Sequence, residues 1–318
     1  ASATDFILRR GGKGSLRRVL RAIRDAKPEK KAPSSGQKNT IRNARPSLVE
    51  LESTGPPQSA GAGLQRLFGL DLEGFEERYP LTSRLVKVDG ELVEEVYKVG
   101  GKYSDEISEI IRHLDAAIPY ASEPMARALG ANIAYYRTGS PVDQRVYDIA
   151  WVEDRSSTVD TINGFTEVYM DARGAKGAWE ALVFYVNPEK TGAIKTLAAN
   201  AQWFEDRMPW DPKYRKEGVT GITANAIDVV FETGDSGPMT PIGINLPNDQ
   251  TVRERYGSKS VSLSNVNEAY DRSRPGNYRQ EFTWTAEEAE RSRQWGSLAG
   301  EMTTNMHEVI GHASGKLA

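Results

Sequence analysis

The sequence predicts an α+β fold. Strand-like runs gather in the middle of the chain, helical runs flank them, and the two kinds are segregated more than alternated. With 318 residues, 38% of them hydrophobic, the chain can bury a substantial core in one or two domains. No apolar run approaches the ~18 residues of a membrane span, so the expectation is a soluble protein without a membrane partner. The absence of cysteine excludes disulfides and thiolate ligands, leaves His, Asp and Glu as metal donors, and fits a cytoplasmic protein.

The net charge of −3 hides an asymmetry. Residues 1–46 carry 13 Lys and Arg against 3 Asp and Glu, so a basic arm precedes an acidic body. Within the arm, Leu16, Val19, Leu20 and Ile23 recur at helical spacing, giving one short basic amphipathic helix. Such an arm fits an organellar targeting segment, a nucleic-acid-contacting tail or a solvated appendage. Phe6 is the one aromatic residue among these charges, which weakens a stacking role on nucleic acid. Pro28 to Gly63, with Pro33-Ser34-Ser35-Gly36 and Gly55-Pro56-Pro57, reads as flexible linker.

Beyond the linker, Ser104 is positioned to cap a helix over about 105–118, and a second helix covers about 122–136. His113 lies in the first of these, in Ile107-x-x-Ile110-Ile111-x-x-Leu114, and reads as a partly buried residue with no metal role. Strand-like runs follow at about 164–170, 181–186, 227–232, 242–246 and 260–263. Pro188 to Met208 reads as a helix with proline at its start. From Thr285 onward the chain is helical again, with Thr285 as N-cap and Glu288 at N3 forming a capping box.

That last helix runs into His307-Glu308-Val309-Ile310-Gly311-His312. Two histidines flanking a glutamate resemble the H-E-x-x-H zinc motif, in which the pair shares one helix face and the glutamate polarises water. Here the second histidine comes one residue late. On a regular helix an i,i+4 pair is offset by roughly 40°, and an i,i+5 pair by roughly 140°, too far for one ion. The spacing therefore predicts a π-type bulge, with Gly311 the residue that permits it. Two histidines meeting by chance on a structural helix is the plainer alternative, and the accompanying glutamate argues against it.

The string His307-Glu308-Val309-Ile310-Gly311-His312-Ala313-Ser314-Gly315-Lys316 resembles the H-E-x-x-G-H signature of the dipeptidyl peptidase III family. Two further segments resemble the same family in the same order: Gly164 to Gly174, containing Glu167 and Tyr169, and Gly243 to Asp249 with the following Gly257 to Val266. The resemblance covers roughly residues 75–318, and Ala224 to Gly234 is closer to the bacterial and plant branches. It implies two lobes, a lower one with a β-barrel-like core and a helical upper one carrying zinc. On the chain this divides into the arm and linker at 1–74, lower-lobe strands at 75–187, a helical segment at 188–222, lower-lobe β-core at 223–265 and the start of the upper lobe at 266–318.

The resemblance also implies roles. His307 and His312 ligate Zn2+, Glu308 is general base, and Tyr169 stabilises the oxyanion. Glu167 holds the free amino end of an oligopeptide substrate, and Asn245 and Asn248 fix its first two residues. Taken alone, Glu167 and Tyr169 read as one solvated strand face. Asn245 and Asn248, flanking Pro247, likewise read as turn chemistry. The implied activity is that of a zinc exopeptidase releasing dipeptides from the amino terminus. The family's third ligand, a glutamate in an E-E-x-x-A-E/D-like string downstream of the histidines, has no counterpart; Glu287-Glu288-Ala289-Glu290 lies upstream and belongs to the helix start. The expectation is the front portion of a longer enzyme, the alternative a catalytically inactive peptide- or zinc-binding module.

Overall fold

The computed structural model describes residues 81–219, 222–237 and 240–316. The basic arm and linker predicted at 1–74 lie outside these residues.

The first described element is a hairpin that the strand-like runs of the sequence do not include. Strands β1 (Ser83–Val88) and β2 (Glu91–Val96) pair antiparallel across Asp89-Gly90. Both turn residues have positive φ, 50° and 92°. That is the Asp-Gly chemistry a two-residue hairpin needs.

Helix α1 (Ser104–Ala117) buries Ile107, Ile111 and Leu114, as its periodicity predicts. Two details differ. The N-cap is Tyr103, in a left-handed conformation, and the Ser104 hydroxyl instead accepts from the Gly100 N–H at 2.9 Å. His113 is exposed rather than partly buried, because it falls two positions from Ile111 and so turns away from the core stripe. Helix α2 (Glu123–Thr138) begins at its Ser122 cap and stops at Gly139, whose φ is 64°. An unforeseen helix, α3 (Pro141–Glu153), follows. Its signal was legible: Ser140 caps it and Pro141 occupies its first turn.

The centre is a five-stranded sheet in the order β3-β4-β5-β7-β6. Its strands are β3 (Val159–Glu167), β4 (Ala178–Val186), β5 (Ile222–Gly234), β6 (Gly243–Leu246) and β7 (Ser258–Leu263). Only the β5·β7 pairing is parallel. All of β7 is buried, as befits a strand covered on both faces.

The sheet is strongly curled. In a flat sheet β3 and β7 would lie roughly 14 Å apart, and the edge strands β3 and β6 roughly 19 Å apart. Instead the buried Lys259 ammonium of β7 reaches the buried Asp160 carboxylate of β3 at 2.9 Å. Asn248, just past β6, donates to Glu167 at the end of β3 at 3.1 Å. The curl supplies the barrel-like core that the resemblance implied.

Helix α4 (Pro188–Ala199) starts at its proline as expected, but the predicted 188–208 helix breaks at Asn200. The short α5 (Ala201–Glu205) then follows. Asn200 turns out of helical geometry and donates its own amide back to the Thr196 carbonyl, a local bond that competes with helix continuation. Helix α6 (Gln250–Tyr256) connects β6 to β7, and α7 (Ser264–Ser273) and α8 (Tyr278–Glu281) lead to α9 (Ala286–Met306). The Thr285 hydroxyl accepts from the Glu288 N–H at 3.1 Å, the predicted cap. The Glu288 carboxylate reaches back to the Trp284 N–H, one residue before the usual partner in a capping box.

Candidate metal centre and its surroundings

Helix α9 passes into a π-helical turn over His307–Gly311. The His312 N–H donates to the His307 carbonyl at 3.1 Å, an i→i−5 bond that absorbs the extra residue. The two imidazoles, which a regular helix would splay apart, lie with ring centroids 4.9 Å apart and planes at 88°. One donor atom each from His307, Glu308 and His312 falls within 4.8 Å of the others. Among the described residues, no other His, Asp or Glu joins this group.

The turn is wedged into the fold by its two apolar residues. Val309 and Ile310 are almost wholly buried against Ile194 of α4, Ala201 of α5, and Ala224 and Ala226 of β5. Each such side chain stabilises by about 1.5–3 kcal/mol when fully buried. With those two residues inward, His307 and His312 stay exposed while Glu308 is buried.

Glu308 has a specific seat. A Cβ added to Gly243 would fall inside contact distance of the Glu308 carboxylate, so the bare backbone of β6 forms its floor. The Ser260 hydroxyl of β7 donates to the Glu308 main-chain carbonyl at 2.8 Å, beside the π-turn. One carboxylate oxygen has no protein donor and stands 3.8 Å from His312 Nε2. Burial pushes the Glu308 carboxyl up to about 7. The His312 imidazole is lowered by burial, then by His307 and Arg253.

Asn245 lies opposite Ser260 in the β6·β7 register. Its amide donates to Ser260 Oγ at 2.6 Å and to Ser258 Oγ at 3.2 Å, leaving its carbonyl oxygen buried without a protein donor. A continuous link therefore runs from Asn245 through Ser260 to Glu308.

Glu167 and Asn248 meet directly. Strand β3 ends at Glu167, three residues earlier than the predicted 164–170 run, opposite Ala178 where its partner β4 begins, and Thr166 is an extra residue in the ladder. Such a bulge re-aims the side chains after it. The Glu167 carboxylate accepts from Asn248, is half-buried, and is raised by burial with Asp235 adding to the effect. Tyr169 stands in the turn beyond the strand and is 83% exposed. Its hydroxyl is raised above its ordinary 10.0 first by the Glu167 charge, then by burial, Glu180 and Glu308.

Residues that sequence reasoning missed are Gly243, Ser260 and Glu180. Gly243 carried a signal, since glycine inside a strand often marks a close approach. Ser260 and Glu180 carried none. Glu180 is buried on β4 opposite Gly164, holds the Ser236 hydroxyl at 2.9 Å, and is pushed up to about 7, mainly by burial. Beside the Asn248 loop, a cavity of about 270 Å³ is walled by Arg145, Tyr147, Asp148, Trp151 and Thr166.

Comparison with known proteins identifies the family. The family model for peptidase family M49 matches residues 76–318. Over 233 residues the chain is 31% identical to dipeptidyl peptidase 3 of Dictyostelium discoideum, covering 72% of this chain and 32% of that protein. It is 29% identical over 220 residues to dipeptidyl peptidase 3 of Rattus norvegicus, covering 68% of this chain and 29% of that protein. The solved structure of DPP III from Caldithrix abyssi superposes with a TM-score of 0.62 at 25% identity, covering 73% of this chain and 43% of the other. The chain thus spans about a third of the length of these curated relatives.

Proposed function

The chain belongs to peptidase family M49, and from that premise we propose that it contributes the peptide-binding face and the metal motif of a zinc exopeptidase that releases dipeptides from the amino terminus of oligopeptides. The observation that carries this reading is the π-turn, which gathers His307, Glu308 and His312 within 4.8 Å. Two imidazoles beside a carboxylate are a donor set suited to zinc, and His307 and His312 would hold it. When bound, zinc polarises a scissile carbonyl and makes water more acidic.

The chain's own residues do the rest. Glu308, seated on Gly243 with one oxygen free of protein donors, accepts a proton from the attacking water and delivers it to the amine as the C–N bond breaks. Tyr169, with its pKa raised, stays protonated at neutral pH and donates to the developing oxyanion. Glu167 pairs with the substrate's ammonium group, and Asn248 orients that carboxylate. Asn245, held by the Ser258 and Ser260 hydroxyls, helps to fix the first two residues of the peptide together with Asn248.

Glu308→Gln in the full-length gene product tests this directly. Zinc content should stay at the wild-type ratio while hydrolysis of a dipeptidyl arylamide falls by about 1,000-fold or more, in line with loss of a general base. Retained turnover would sink the mechanism.

A further inference from the structure

The π-turn is an irregular piece of helix, and π geometry is rare because an α-helical register is normally preferred. Buried Val309 and Ile310 hold its middle. Its far end is held differently, by side chains from outside the metal motif. The His312 carbonyl accepts from Arg253 Nη2 of α6 at 2.9 Å. The Ala313 carbonyl accepts from Lys216 Nζ at 2.7 Å. The Gly315 N–H points at both Glu205 carboxylate oxygens, at 3.2 and 3.0 Å.

Glu205, the last residue of α5, is fully buried. A buried carboxylate without partners is costly, and this one is satisfied by main-chain donors. Besides Gly315 it accepts the Lys216 N–H at 2.8 Å. Glu205 therefore fixes the backbone of the residue whose ammonium holds Ala313. Arg253 comes from α6, a helix whose N-cap, Asp249, directly follows Asn248. One helix therefore joins the asparagine-bearing loop to the second histidine.

We propose that Arg253, Lys216 and Glu205 are positioning residues for the metal centre: by clamping the main chain at His312, Ala313 and Gly315 they hold the π-turn in the register that brings the His312 imidazole to His307. This rests on the metal reading above. None of the three belongs to the candidate donor set of His307, Glu308 and His312. Groups that orient ligands in this way typically cost 10- to 100-fold in metal affinity when removed.

The test uses the full-length gene product, stripped of metal and titrated with zinc in competition with a chromogenic chelator. The visible spectrum of the cobalt(II)-loaded form and the melting temperature of the metal-free form are recorded alongside. Arg253→Met should weaken zinc binding by about ten-fold and alter the cobalt bands, with the metal-free melting temperature unchanged. Arg253→Lys, which can still donate to the same carbonyl, should recover most of the affinity. Lys216→Met should move affinity and spectrum in the same direction. Unchanged affinity and bands in both Met variants would overturn the proposal. So would an affinity loss that tracks a lower metal-free melting temperature and is not recovered by Arg253→Lys. A wild-type protein that takes up no metal is a distinct result: it defeats the metal reading and this proposal with it.

Discussion

Glu308 is only as well placed as the bare backbone of Gly243 allows, since any side chain there would displace its carboxylate. Gly243→Ala should therefore leave the fold intact and lower kcat/KM by roughly 100-fold, the usual scale for an ångström of misplacement. Activity within a few-fold of wild type would show that the carboxylate can move without loss. At this scale the sequence was legible where chemistry is written in residue type. His307, Glu308 and His312 announce themselves as a donor set, and Glu167, Tyr169, Asn245 and Asn248 were singled out through family resemblance. Ser260 and Arg253 stayed hidden because a serine hydroxyl or an arginine acquires its role from what another strand or helix sets opposite it.

Among the elements, the π-turn was readable from a single integer, the five-residue spacing of the histidines, because no regular helix brings that spacing to one face. The break at Asn200 and the early end of β3 were not. The first depends on a local bond that competes with pattern, the Asn200 amide on Thr196, and the second on where the partner strand begins, at Ala178. The same turn is anchored by Ile310, 2% exposed. Ile310→Ala should destabilise the protein by about 3 kcal/mol, read from denaturant unfolding, with zinc affinity weakened in parallel as the turn loosens. An affinity unchanged despite that destabilisation would show that the turn keeps its register without this anchor.

At the scale of the whole molecule, α+β character was legible from segregated runs, and the curl was not, because it rests on contacts such as Lys259 with Asp160 between strands far apart in sequence. Packing around the sheet leaves a pH signature. Asp148, set into the cavity wall, is pushed from 3.8 up to about 8 by burial, with Asp249 adding and Arg145 opposing. The folded protein therefore favours its neutral form. That contribution to stability is fully present below about pH 4, declines as pH rises, and is gone above about pH 8, at most about 1.4 kcal/mol per pH unit. Melting temperatures of wild type and Asp148→Asn compared from pH 5 to 8 should diverge, the wild type losing relative stability as pH rises; parallel profiles would refute the assignment. The curl has a consequence for selectivity as well. By bending its edge strands towards one another, the sheet becomes a caliper, with Glu167 at the end of one jaw and Gly243, beneath Glu308, on the other. On the proposed reading, the gap between those jaws is cut into backbone register, so a peptide is measured by its distance from a free end.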